Sequence, residues 1–305
     1  MKTMKTGMKA DLMLFVVVTG WGFSFYLTDI ASADLAAFNL SAFRFLLAFA
    51  VCGAIFWKKL LPVSGATLRW SLLLGGVLSA LYACMNIGVQ NTSLSNSGFL
   101  CQLTVIVTPF LWAAIHRKSP GKKAFFVAAL CMAGIALLTV QDGMSFDPAH
   151  LKGDVCCLLC GIVYAFHIVL TEYAVADPAV DPLQLGVWQL GMTGVISLAI
   201  SAALESPHLP TTPAAWISAS VLAVFCTGLA FIVQTLAQQH TSASHVSVIF
   251  SLEPVIAGVV AFVFAGEVLT PRAYLGAALM VAAVFIMEVD WKGLLGSRRA
   301  AGERA

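Results

Sequence analysis

Charge is what this chain has least of: 10% of its 305 residues are Asp, Glu, Lys or Arg, against about 25% in a soluble domain. That scarcity, beside 60% hydrophobic residues, excludes an ordinary water-soluble enzyme. It also excludes a disordered chain, which is poor in apolar residues. A basic stripe is missing too, because 17 basic and 15 acidic residues leave a formal charge of +2; nucleic acid is therefore not an expected partner. No phosphate-cradling G-x-x-x-x-G-K-[ST] loop occurs, so work driven by bound nucleotide is not expected. There is one C-x-x-C pair, Cys157 and Cys160, with no second pair and no neighbouring His cluster to complete a metal site. All eight cysteines fall in apolar blocks and read as small packing residues. Neither metal nor cofactor is expected, and no catalytic constellation stands out. An intramembrane thiol oxidoreductase using Cys157 and Cys160 is kept as an alternative.

What the chain has in quantity is apolar sequence gathered into blocks. A helix needs about 20 mostly apolar residues to cross a hydrocarbon core of about 30 Å. Ten such blocks occur, at approximately 11–30, 36–57, 70–88, 95–115, 124–141, 154–171, 183–204, 214–236, 246–265 and 273–290. Connections are short, and Asp147-Pro148, Asp177-Pro178 and Asp181-Pro182 mark turns in the longest two. The first block runs on into a second span and reads as retained, not as a signal peptide. Short loops rich in Lys and Arg stay cytoplasmic. With both termini inside, 14 basic residues lie inside, only Lys152 and Arg272 lie outside, and Arg44 falls within a span. The expectation is an all-α polytopic protein of the inner (plasma) membrane, with cytoplasmic N- and C-termini and a tail over 291–305.

The chain also repeats. Shifted by 149 residues, Thr92, Ser93, Ser95 and Leu103 match Thr241, Ser242, Ser244 and Leu252. A Ser/Thr-Pro step also follows the fourth span of each half, Ser119-Pro120 in one and Thr270-Pro271 in the other. A unit of five spans has an odd count, so its second copy enters the membrane from the other side. Two inverted five-helix repeats, 11–141 and 154–290, are expected. Inverted halves that meet near the midplane suit a transporter, because rocking exchanges their conformations. A channel is the alternative within the membrane class.

Several motifs resemble a known family. Gln239-His240-Thr241-Ser242-Ala243-Ser244, Ile249-Phe250-Ser251-Leu252-Glu253-Pro254, Gly266-Glu267-Val268-Leu269-Thr270-Pro271 and Leu275-Gly276-Ala277 closely resemble the second EamA repeat of drug/metabolite transporters. Gly20-Trp21-Gly22, Arg44-Phe45 and Asn91-Thr92-Ser93-Leu94-Ser95-Asn96 are similar to the first. The resemblance implies a non-enzymatic secondary transporter of a small organic metabolite, an amphipathic amino acid-like or drug-like solute, and it favours export. It says almost nothing about which solute.

Polar groups within spans usually face the protein interior or a wet cavity, because hydrocarbon offers them no partner. On that ground Trp21, Tyr82, Asn86, Gln90, Tyr164, His167, Trp188, Gln189 and Gln234 are expected to line a substrate cavity; helix packing is the competing reading for the rings. His167 also admits a proton relay. Arg44, about 12 Å from the outer end of its span, and Glu253, about 16 Å from the inner start of its own, reach similar depth at 1.5 Å per residue. They are expected to pair, because isolated charges are costly there. With Pro254 they are candidates for gating or coupling, coupling to protons included; a structural clasp is the competing reading, favoured for Arg44. Spans four and nine are expected to bend at Pro109 and Pro254. Spans five and ten are expected to pack through Ala129/Ala133 and Ala278/Ala282.

Overall fold

The computed structural model describes residues 2–92, 97, 100–119, 121–139, 151–260, 263 and 270–288. The described residues contain helices and no strand. In chain order they are α1 (Lys2–Ser32), α2 (Ala37–Phe56), α3 (Gly65–Asn91), α4 (Thr104–His116) and α5 (Gly121–Thr139). The second half adds α6 (Leu151–Ala176) and α7 (Pro182–Leu204), then α8 (Pro213–Gln238), α9 (Ala243–Val260) and α10 (Pro271–Glu288). Six helices, Ala37–Lys59, Gly65–Asn91, Leu151–Ala176, Pro182–Leu204, Pro213–Gln238 and Ala243–Val260, are long and apolar enough to cross a membrane. α1 bends by 41° between Met8–Ser24 and Tyr26–Ser32 and adds a seventh when taken as one span; Thr104–His116 and Pro271–Met287 are apolar but shorter.

Helix starts follow local chemistry. Asp181, Thr212 and Thr270 each precede a proline, and their side chains accept from Gln184 N–H (2.9 Å), Ala215 N–H (3.2 Å) and Ala273 N–H (3.2 Å). The first-turn N–H groups of a helix have no partner within it. A short polar side chain supplies one, and proline at the first helical position has no N–H to satisfy.

Two helices are interrupted at matching places. A tight turn at Ser251-Leu252 divides α9, and another at Gln102-Leu103 precedes α4. Pro254 falls in the first turn after its break, where a missing N–H costs little. Pro109 is buried inside α4 without ending it, and the interruption of this span lies at Gln102-Leu103.

α3 packs on α6 and α7, α2 on α7 and α8, α1 on α8 and α9, α4 on α6 and α9, and α5 on α10. Small residues let these backbones approach. A methyl on Gly75 would stand 2.6 Å from Met192 Cβ, and one on Gly134 would stand 2.6 Å from Met280 Cγ and 2.8 Å from Gly276 O. The second contact corrects an expectation. Ala129, Ala133 and Ala278 are exposed, and the packed face carries Val127, Ala128, Cys131, Gly134 and Ile135 against Gly276, Met280 and Ala283. Each buried face lies next to the alanine stripe because the glycines permit the closest approach there.

Candidate functional site

Arg44 sits on α2, 3% exposed. Its Nε–H donates to Thr227 Oγ1, and its Nη2 donates to Cys226 O at 3.2 Å. Its guanidinium lies 5.0 Å from the centre of the Tyr82 ring, within the range of a cation–π contact. Both acceptors belong to a six-residue π turn, Val224–Leu229, in the middle of α8. Such a turn breaks the regular hydrogen-bond ladder and is frequent at functional sites. Here the Cys226 carbonyl takes a second side-chain donor, Trp21 Nε1–H, at 2.8 Å. Arg44 is therefore held by neutral oxygens and a ring face.

Glu253 stands at the α9 break, and its Oε2 accepts from Gln102 Nε2 at 3.0 Å, from the matching break before α4. The expected Arg44–Glu253 ion pair is not formed, since the partners of both groups are neutral. Equal depth did not bring them together because depth is set along each helix, whereas contact depends on which helices are lateral neighbours. Pro254 follows Glu253 directly and is half-buried.

Around these charges α1, α2, α3, α6, α8 and α9 contribute a cluster of rings. Phe231 is its centre, with ring centroids 5.8 Å from Trp21, 6.0 Å from Phe45, 6.4 Å from Tyr82 and 5.7 Å from His167. Trp21 also meets Phe250 at 4.8 Å and Tyr164 at 5.9 Å, and Tyr164 lies parallel to Phe250 within 7° at 6.1 Å. Phe231 shares the polar face of its span with Thr227, Gln234 and Gln238, whereas Phe45 and Phe250 were not among the expected site residues. Apolar rings within apolar spans carry no contrast that a sequence pattern can detect.

Polar groups interleave with the rings. Gln189 Nε2 donates to Thr235 Oγ1 at 3.2 Å, which turns its Oε1 toward His167 Nε2, also at 3.2 Å. Gln234 Nε2 donates to Gln238 Oε1 at 3.0 Å. Three buried atoms of this cluster have no partner among the described residues: Tyr164 Oη, His167 Nδ1 and Gln234 Oε1. Leaving such groups unmade costs about 1–3 kcal/mol each, and each one in a native structure calls for an explanation.

Other expected site residues lie elsewhere. Asn86 Nδ2 donates to Ala37 O (2.9 Å) and Ser41 Oγ (3.0 Å), which ties α3 to the start of α2. Gln90 is exposed at the end of α3, outside the cluster. Trp188 packs on Phe49 at 5.5 Å, and its Nε1 is a further buried donor without a partner among the described residues.

Polar ties close both ends of the helix assembly. At one end Asp11 Oδ1 meets His245 Nε2 at 2.9 Å, joining α1 to α9, and Glu172 accepts from Ala243 N–H at 2.9 Å and Trp112 Nε1–H at 3.3 Å. At the other end Glu205 accepts from the Phe38 and Asn39 N–H groups at 3.0 and 2.8 Å, capping α2. Asp34 there accepts from Thr211 N–H and Oγ1–H, both at 2.6 Å. Those bonds favour the ionised form and hold the Asp34 carboxyl below its ordinary value.

With this geometry in view, the comparisons with known proteins agree. The EamA-like transporter family is matched over residues 8–140 and again over 151–289. Two proteins of Archaeoglobus fulgidus, each described as an uncharacterized transporter, are similar over nearly their whole length. One is 25% identical over 284 residues, covering 92% of this chain and 86% of the relative; the other is 26% identical over 284 residues, covering 91% and 96%. A solved crystal structure shares the fold with a TM-score of 0.79 at 17% identity, covering 95% of this chain and 98% of that one.

Proposed function

We propose, for a chain that belongs to the EamA-like transporter family and is a multi-pass membrane transporter, that it moves a small amphipathic organic solute across the inner membrane by alternating access, in the direction of export. In this reading ten spans form two inverted five-helix halves with cytoplasmic termini, and the energy comes from a solute or proton gradient.

The helix neighbours support a twofold relation between the halves, and the odd number of spans in each half makes that relation an inversion in this reading. Adding five to each helix number turns the pair α3·α6 into α8·α1, α3·α7 into α8·α2, and α4·α6 into α9·α1, and all of these pairs pack together. The pairs α2·α7 and α5·α10 exchange with themselves, as pairs on a twofold axis must. The breaks at Gln102-Leu103 and Ser251-Leu252 are related by the same shift of 149 that aligns the sequences.

One observation carries the solute site: unpartnered polar atoms at Tyr164, His167 and Gln234 set among the rings around Phe231. With His167 Nε2 bonded to Gln189, the Nδ1 of the neutral ring is an acceptor, and Gln234 Oε1 is another. A solute with an apolar or aromatic body and N–H or O–H donors satisfies both the walls and the acceptors. Trp21, Tyr82 and Gln189 complete the wall. Arg44 and Glu253 are assigned to gating or coupling, with Pro254 helping to set the α9 break. The Arg44–Thr227 and Glu253–Gln102 contacts each cross between the halves, which must move past one another.

The test begins with thermal shift of the purified protein against amino acids, purines, sugars and organic cations, since a ligand of the folded state alone raises stability. Hits are then assayed for counterflow in proteoliposomes. A saturable exchange that the Tyr164→Phe variant weakens is expected. Flux linear in concentration, without exchange of label, would establish a channel and overturn the carrier reading.

A further inference from the structure

Two helix pairs, α2·α7 and α5·α10, return to themselves when the halves are exchanged, and α2·α7 is bonded across the halves at both of its ends. Asn39 is the third residue of α2 and Gln184 the third residue of α7. Asn39 Nδ2–H donates to His208 O at 3.0 Å, in the stretch that leaves α7. At the opposite end Gln184 Nε2–H donates to Lys59 O at 2.9 Å and Pro62 O at 3.1 Å, in the stretch that leaves α2. The connections follow the same exchange. Asp34, before α2, accepts from Thr211 Oγ1–H, after α7, at 2.6 Å. Ala179 O, before α7, accepts from Ser64 Oγ–H, after α2, also at 2.6 Å. Between the ends the backbones are in close contact: a methyl on Gly194 would stand 2.9 Å from Leu46 N, and one on Gly191 would stand 3.0 Å from Phe49 Cδ2.

We propose that α2 and α7 form a permanent frame, pinned at its two ends by Asn39 and Gln184 as positioning residues, against which the other helices change facing. This frame rests on the carrier reading and deepens it, since two halves that rock as rigid bodies would part α2 from α7. A tilt of about 10° about the middle of a 20-residue helix carries each end by roughly 2.6 Å at 1.5 Å per residue, enough to break the bonds at one end. Asn39 and Gln184 are buried, so water does not replace the lost bonds, and polar groups left unpaired there are costly. Exchanging the halves turns the Asn39 end into the Gln184 end. The same bonds therefore serve both facings, and none has to break. The pair α1·α9 instead becomes α6·α4, so a contact made there in one facing can be absent in the other. At one end of that pair Asp11 and His245 lie 2.9 Å apart and are partly exposed, and an ion pair within reach of water opens at little cost. Alternating access then moves α1 and α9, and their counterparts α6 and α4, while α2·α7 stays together.

Double electron–electron resonance on the full chain in nanodiscs tests this, with nitroxides clicked onto azide-bearing residues so that the native cysteines stay in place. The labelled pairs stand at exposed positions: Ala36–Ser206 and Leu61–Ala179 at the two ends of α2·α7, and Met8–His240 beside Asp11 and His245. Both α2·α7 pairs should give one narrow distance, the same in wild type and in Asp11→Ala. Met8–His240 should give two distances, and Asp11→Ala should raise the longer against the shorter by roughly 1.4- to 5-fold, as expected for a partly exposed ion pair. Gln184→Glu keeps the shape but loses the N–H donors, and it should broaden Leu61–Ala179 while Ala36–Ser206 stays narrow. Lower thermal stability of that variant with both distances still narrow would overturn the role given to Gln184. Opposite changes at the two ends of α2·α7 would show rigid rocking halves and overturn the frame. So would a Met8–His240 distance as fixed as the other two, because nothing then moves against the frame. Distances as expected beside flux that is linear in concentration, without exchange of label, would keep the frame and count against the carrier reading alone.

Discussion

Replacing Thr227 by Val removes the acceptor of the Arg44 Nε–H while leaving a side chain of nearly the same size. Thr227 is 0% exposed and Arg44 3%, so water does not substitute for the lost oxygen, and Nη2 keeps its bond to Cys226 O. A hydrogen bond to a charged group contributes about 1.5–3 kcal/mol, which at 1.4 kcal/mol per decade is a roughly 10- to 150-fold shift in the unfolding equilibrium. The assay is reversible unfolding in mixed micelles followed by tryptophan fluorescence, to which Trp21, bonded to the same carbonyl, contributes. A double-mutant cycle with Arg44→Leu isolates the pair. In the Arg44→Leu background Thr227 has lost its donor, and the Val substitution should be neutral or slightly stabilising. If Thr227→Val changes stability by less than about 0.5 kcal/mol in the wild-type background, or by equal amounts in both, the π turn does not anchor Arg44 in the way described.

Tyr164→Phe deletes a hydroxyl that has no partner among the described residues, so it should leave stability unchanged or raise it by up to about 1 kcal/mol while weakening solute binding; loss of both would show that the hydroxyl is structural. Gly134→Ala places a methyl 2.6 Å from Met280 Cγ and 2.8 Å from Gly276 O, and this overpacking should cost about 1–3 kcal/mol, read as a lower unfolding midpoint with α5 and α10 parted. Glu253→Gln should alter the rate of counterflow or its pH dependence; an unchanged profile removes the coupling role. Because the Asp34 carboxyl is held low by Thr211, its contribution is complete above the unfolded value of about 3.9 and is lost as pH falls through the lower folded value. Asp34→Asn should therefore flatten this part of the acid limb of Tm against pH and leave the neutral range nearly unchanged.

Much of the architecture was legible before any coordinates. Helix occurs in every apolar block because length and hydropathy act residue by residue. Asp181, Thr212 and Thr270 open helices where polar-proline steps stand in the sequence, since capping is decided within four residues. The site was legible in part. Trp21, Tyr82, Tyr164, His167, Gln189 and Gln234 stood out as polar or amphipathic groups against an apolar background; the structure gathers the four rings around Phe231, with Gln189 bonded to His167 and Gln234 buried on the same helix as Phe231. Phe231 stood on the same face of its span as Thr227, Gln234 and Gln238, but nothing in the sequence marked it as the centre of the ring cluster. Gln90 stood out too, one turn past Asn86, yet it ends exposed where α3 leaves the assembly.

The sequence by itself determined which segments are helices, where most begin, that the chain repeats, and which few polar side chains lie within apolar helices. All of these depend on local composition or on comparing the chain with itself. Tertiary structure alone decided that Arg44 faces a π turn and not Glu253, that the two helix breaks meet through Gln102, and that α5 and α10 join at glycines beside their alanine stripes. The physical reason is that lipid and protein interior are equally apolar. Within a membrane helix, hydropathy therefore does not mark which side meets another helix, and lateral neighbours are settled by close packing between residues far apart in the chain.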